Sequence, residues 1–138
     1  MPLEFFDPLG LDLTEAQKAA IAQIAQAWTD AKVPYVYGGA SREGADCSGS
    51  VSAIYKEAGI DVGRFTSATI KASPLFAPVV GPPQVGDIGV YPKHVDLYGG
   101  SLAPGRDVWS ASHPGGRPFG PANSGWYGTP VWYRYIGN

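Results

Sequence analysis

Ile21, Ile24, Ala25 and Trp28 recur at helical spacing, so the chain is expected to open with an amphipathic helix over about residues 15–31. Thr14-Glu15-Ala16-Gln17 precedes them in the S/T-x-x-E/Q order of a capping box. That apolar stripe reads as core and not as a cofactor box. Val33-Pro34 ends the helix, because the residue before a proline is pushed out of the helical region, and Tyr35-Val36-Tyr37 runs extended into Gly38-Gly39, where backbone can approach closely. After a polar loop at 40–46, Val51, Ile54, Tyr55 and Ala58 line one face of a second helix starting at Cys47, with Asp46 as N-cap and Gly59 as its close. Residues 60–85 are poorly periodic. A short helix near 67–72 is followed by a stretch punctuated by Pro74, Pro78, Pro82 and Pro83.

From Gly86 onwards the period changes to two. Ile88, Val90 and Tyr91 predict a first strand; Val95 and Leu97, alternating with His94, Asp96 and Tyr98, a second; residues 108–112 a third; residues 131–136 a last one. Gly99 to Arg106 reads as the hairpin loop between the second and third, and the Gly/Pro/Asn-rich residues 113–129 as a long covering or functional loop without a strand. Helices first and an antiparallel sheet afterwards make an α+β fold. The organisation expected is one domain over 1–138: an apolar docking arm at 1–13, a helical part at about 14–59 and a sheet part at about 86–138.

Composition narrows the function classes. A chain of 138 residues suits one core. A net charge of −2 carries no basic footprint for nucleic acid or anionic lipid. The 19 glycines and 13 prolines are accompanied by 44% hydrophobic residues, which indicates a folded, turn-rich chain and not a disordered one. One cysteine excludes an internal disulfide. The N-terminus lacks the basic start and apolar core of a secretory signal, and no run approaches the roughly 18 apolar residues of a membrane span. The expectation is a protein that stays inside or leaves by a route needing no such signal.

That single cysteine stands in Asp46-Cys47-Ser48-Gly49, where a Gly-rich loop enters the second helix. A lone cysteine is more often a small buried hydrophobe than a nucleophile. Here, however, it is flanked by Asp and Ser at a helix start, where unsatisfied N–H groups and the macrodipole favour a thiolate. His94 opens a later strand. A thiolate attacking a carbonyl carbon, an imidazole keeping it ionised and protonating the leaving amine, and helix-start N–H groups holding an oxyanion form a coherent set. One cysteine and two histidines far apart in sequence make no short-spaced metal chelate. Trp126, Trp132, Tyr133 and Tyr135 read as core or cleft packing before they read as a sugar platform.

Three stretches in one order, Pro34-Tyr35-Val36-Tyr37-Gly38-Gly39, Gly44-Ala45-Asp46-Cys47-Ser48-Gly49, and Val85-Gly86-Asp87-Ile88 followed by His94-Val95-Asp96-Leu97-Tyr98, resemble the NlpC-type cell-wall cysteine peptidases within the papain-like grouping. The resemblance implies a papain-like α+β fold with the nucleophile at a helix N-terminus packed on a mostly antiparallel sheet. It implies hydrolysis of an amide bond in peptidoglycan stem peptides, commonly D-glutamyl to diamino acid, through an acyl-enzyme and without a cofactor. It implies Cys47 as nucleophile, His94 as base, Tyr35 near the oxyanion, and Asp46 and Ser48 in substrate binding, the N-cap role of Asp46 standing beside the last. Two departures matter. The family's third polar residue, commonly histidine, falls on Ser110 when Val108-Trp109-Ser110-Ala111-Ser112 is matched to it, with His113 three residues on. Strand alternation points those two oppositely unless a bulge intervenes, so Ser110 is favoured as the orienting residue and His113 as cleft wall or surface loop. Asp96 replaces a small residue; it shares a strand face with His94 but is expected as an exposed carboxylate. The partners implied are a stem peptide and, for an injected toxin as opposed to a phage lysin, a cognate immunity protein. The protein would act as a monomer in the periplasm or wall of a target bacterium. A transferase or hydrolase on another amide or thioester, and a non-catalytic wall-binding module, are the alternatives.

Overall fold

The computed structural model describes residues 12–112 and 117–137. Most of the expected N-terminal arm, and His113, lie outside these residues. Helix α1 (Glu15–Asp30) starts on the reciprocal capping box: the Gln17 amide donates to Thr14 Oγ1 at 3.0 Å, and the Thr14 amide donates back to Gln17 Oε1 at 2.9 Å. Two short strands, β1 (Ala40–Ser41) and β2 (Gly44–Ala45), form a small ribbon within the segment expected as plain loop. Helix α2 (Cys47–Glu57) follows, capped by Asp46, which accepts from the Gly49 amide at 2.7 Å. A single 3-10 turn, Ile70–Ala72, stands where a short helix was expected.

The remaining strands form one antiparallel sheet: β3 (Phe76–Pro78), β4 (Ile88–Tyr91), β5 (His94–Ala103), β6 (Arg106–Ser112), β7 (Arg117–Ala122) and β8 (Val131–Tyr135), in the order β3-β8-β4-β5-β6-β7. The fold is therefore α+β, with two helices packed on a mostly antiparallel sheet.

Three details of the sheet differ from expectation. The hairpin between β5 and β6 is tighter: β5 runs on to Ala103, which pairs with Arg106. Glycines at 99 and 100 suggested a loop, but the strand absorbs them through a register irregularity between Tyr98 and Ala103. Residues 117–122, expected as loop, form edge strand β7, whose Phe119 amide donates to Val33 O at 2.9 Å and whose ring meets Trp28 edge-on. Prolines at 118 and 121 hid it, since a proline is tolerated only on an edge such as this one. Strand β3 was missed because three residues are too few for a periodic signal.

The core lies between the helices and the sheet. Ile21, Ala25 and Trp28 of α1 and Val51, Ile54 and Tyr55 of α2 pack on Ile88, Val95, Leu97 and Trp109. Leu13, at the end of the expected arm, is buried in the same core. Two polar bonds fix the helices within it: Trp28 Nε1 donates to Glu57 Oε2 at 2.8 Å, and the Tyr55 hydroxyl donates to Gly86 O.

Candidate active site

The loop before α2 is folded back on itself by close backbone contact. Val36 N donates to Ala45 O at 3.2 Å, Ala45 N to Pro34 O at 3.0 Å and Asp46 N to Gly39 O at 3.1 Å. A Cβ on Gly49 would run into the Gly39 carbonyl, and one on Gly39 would run into the backbone of Gly44. These two glycines let the helix start and the preceding loop touch. The result sets Tyr35 beside Cys47, and both line a cleft of about 400 Å³ with Tyr91, Pro92, Lys93, His94, Ala111 and Tyr127.

Cys47 is partly exposed at the first position of α2. Its own amide and that of Ser48 fall in the first helical turn, where no intrahelical acceptor exists. Across the cleft His94 begins β5, and its ring shares the cleft wall with the Cys47 side chain, close enough for the sulfur to favour its charged form. Its Nε2 lies 2.5 Å from Asp96 Oδ1 and 3.0 Å from Ser110 Oγ, which leaves Nδ1 as the nitrogen for sulfur.

Asp96 is the main correction to the sequence reading. It is fully buried, at 0% exposure, and not an exposed strand carboxylate. Residues i and i+2 of a strand share a face, so the spacing His94-Val95-Asp96 already put the two side by side. What the spacing could not reveal was the cover over that face. The 3-10 turn Ser124–Tyr127 lies across it, with the Tyr127 ring stacked on the imidazole at 4.0 Å between centroids. The Tyr91 hydroxyl shares its proton between Asp96 Oδ2 at 2.9 Å and Ser124 O at 2.6 Å. Tyr91 and Tyr127 are thus residues of the site that the sequence reading missed. Tyr91 was detectable only as the cross-strand partner of His94.

Asp96 and Ser110 meet the same ring nitrogen, and one N–H has one proton. The carboxylate is nearer and charged, and a charge-assisted hydrogen bond is roughly twice as strong as a neutral one, so Asp96 takes the proton and Ser110 is left a side contact. Burial of the ring opposes its charge, but hydrogen bonds to Asp96 and Cys47 and the negative charge of both outweigh it, pushing the His94 pKa up to about 9. At neutral pH the imidazole is therefore an imidazolium. Burial first, then the charges of Cys47 and Asp46, raise the Tyr35 hydroxyl above its ordinary value, so it stands over the cleft as a proton donor.

Asp46 and Ser48 are engaged elsewhere. Asp46 accepts from Gly49 N, from Gly38 N at 2.9 Å and from Arg64 Nη2 at 3.0 and 3.2 Å, while Ser48 Oγ accepts from Arg64 Nη1 at 2.9 Å. Both are buried, and their polar atoms hold the helix start to the 60s loop. Asp87, the aspartate of the Gly86-Asp87 pair, is likewise internal: it accepts from Gln84 N at 2.8 Å and pairs with Arg134 at 2.9 Å.

The model of the NlpC/P60 family matches residues 32–107, a span that includes Tyr35, Cys47, His94 and Asp96 and more than half of the chain. The chain belongs to the NlpC/P60 family. Among solved structures it is similar to the NlpC/p60 domain of the peptidoglycan hydrolase SagA, at 26% identity and a TM-score of 0.64, over 86% of this chain and 98% of that one. An NLP/P60 family protein described as similar to lipoprotein, from Staphylococcus aureus subsp. aureus Mu50, shares the fold at 23% identity and a TM-score of 0.67, over 96% of this chain. A Bacillus cereus ATCC 10987 NlpC/P60 family protein shares it at 18% identity and 0.64, over 98% of this chain. This chain spans 45% and 43% of the length of those two proteins. No curated protein matches it by sequence. The members of this family are typically cysteine peptidases, and the chain shares its fold with the NlpC/p60 domain of a peptidoglycan hydrolase.

Proposed function

We propose that the protein is a cysteine endopeptidase that hydrolyses an amide bond of peptidoglycan stem peptides, with the D-glutamyl to diamino acid bond as its target. The observation that carries this reading is that Cys47 and His94 line one cleft, with the His94 ring held from behind by buried Asp96. The Cys47 thiolate attacks the carbonyl carbon of the scissile amide. Negative charge moves to the carbonyl oxygen, where the Cys47 amide and the Tyr35 hydroxyl are the donors at hand. As the C–N bond breaks, His94 passes its proton to the departing amine, leaving an acyl-thioester on Cys47 and a neutral ring. Neutral His94 then takes a proton from water, whose oxygen attacks the thioester. The carboxylic acid leaves, and thiolate and imidazolium are restored.

Asp96 holds the ring by Nε2 so that Nδ1 faces sulfur, and it stabilises the charged form; we assign it as the positioning residue, with Ser110 supporting it. This assignment favours catalysis over a binding module, because the serine at the family's usual histidine position is matched by a carboxylate supplied from β5 itself. The reading is tested by digesting purified muropeptides and identifying new termini by mass spectrometry. New amino and carboxyl termini at one stem-peptide bond are expected from the native protein and none from Cys47→Ala. Equal release by both proteins overturns it.

A further inference from the structure

The turn that covers His94 carries a second feature one residue earlier. Trp126, 46% exposed, has the guanidinium of Arg106 4.5 Å from its ring centroid and that of Arg117 5.0 Å from it. Arg42, Arg64 and Arg134 each pair with a carboxylate, on Glu57, Asp46 and Asp87. Arg106 and Arg117 pair with none among the described residues. Both cations stand within 5.0 Å of one indole, so an anion beside that ring is attracted by two positive charges. Arg117 and Trp126 line a cavity of about 380 Å³ with Ser112 and Tyr127. Tyr127 is also a wall of the Cys47–His94 cleft, so the two cavities meet at the residue stacked on the base.

We propose that Arg106, Trp126 and Arg117 form an anion subsite that takes a free carboxylate of the stem peptide beside the scissile bond. This rests on the hydrolase reading and adds the substrate's chemical state to it. A stem peptide linked through the γ-carboxyl of D-glutamate keeps its α-carboxylate, and a dicarboxylic diamino acid carries a second on its side chain; either can be amidated, which removes the charge and leaves the shape almost unchanged. Guanidinium is suited to the charged form, because its planar fork matches a carboxylate with two parallel N–H···O bonds, whereas an amide can accept at only one atom. The subsite therefore discriminates between free and amidated stem peptides.

The test compares two synthetic stem peptides, identical except that their side carboxylates are free in one and amidated in the other. Native protein is expected to cleave the free form with a kcat/KM about ten-fold higher, mostly through KM, the preference shrinking as salt is added. In the Arg106→Gln, Arg117→Gln double variant the preference should collapse, whereas Arg117→Lys, which keeps the charge but not the fork, should retain part of it. Arg117 is exposed and Arg106 half-buried, and an unchanged melting temperature will show that the variants fold. Equal cleavage of both peptides by the native protein, or a preference that survives in the double variant, overturns the subsite and leaves the hydrolase reading standing. The hydrolase reading has its own outcome: if native protein cleaves neither peptide, that reading fails. The subsite is then read from the Trp126 indole N–H resonance, assigned with Trp126→Phe. Its shift on titration with the free peptide alone supports an anion site, and its shift with both or neither overturns one.

Discussion

At neutral pH the His94 ring carries its proton, because the gain from Asp96 and Cys47 exceeds the loss from burial. The proposed cleavage needs that proton for the leaving amine, so kcat/KM is expected to fall as pH rises through about 9. Stability follows the same group: a folded pKa raised above the ordinary 6.5 contributes stability in full below about 6.5, and this is lost as pH climbs through about 9. Urea unfolding at a series of pH values should show the decline. The decline should shrink in Cys47→Ala, which removes one of the two partners that raise the ring. Asp96→Asn keeps the shape but not the charge. It is expected to lower kcat by about 10²–10⁴-fold and to bring the His94 titration, followed by NMR, down toward neutrality. Ser110→Ala should cost less than about ten-fold in kcat and leave that titration near its native value, since serine shares Nε2 but supplies no charge. A larger effect at Ser110 than at Asp96 would reverse the assignment.

Elements carry these residues, and two of them show how. Helix α2 presents Cys47 because its start is fixed three times over, by the Asp46 cap, by Arg64 on Asp46 and Ser48, and by the bare Cα of Gly49 against the Gly39 carbonyl. Gly49→Ala is therefore expected to destabilise the protein by several kcal/mol, since the new Cβ would meet the Gly39 carbonyl, which is backbone and cannot yield cheaply, and the Asp46 carboxylate that caps the helix. The capping box of α1 is exposed and remote from the cleft. Thr14→Ala should lower stability by about 1 kcal/mol and leave kcat unchanged. The second decisive element is the 3-10 turn Ser124–Tyr127, which closes the polar face of β5. Its four residues have no periodicity to read, and the segment looked like any Gly/Pro-rich loop.

For the molecule as a whole, the sheet order brings Cys47 to His94. Strand β5 is central, between β4 and β6, and α2 packs across it, so a sulfur from the first half of the chain and an imidazole from the second meet. The ion pair of Arg134 with Asp87 ties β8, the strand nearest the chain end, to the turn before β4. Arg134→Met would leave Asp87, 1% exposed, without its counter-charge and should cost about 3–5 kcal/mol in chemical denaturation. Both α-helices, the strands with clean alternation, and Cys47 and His94 as candidate nucleophile and base were legible in the chain, because periodicity, caps and flanking motifs are local properties. The fate of Asp96 was not. The period of two that set it beside His94 states only which residues share a face, and burial depends on what lies over that face. Tyr91 and the 124–127 turn cover it from distant positions in sequence. By itself the sequence determined the helices, the strand register around His94 and the residue types that chemistry requires. The tertiary structure alone decided that the carboxylate beside the imidazole is buried, because the cover that makes such a contact strong is contributed by segments that local pattern cannot connect.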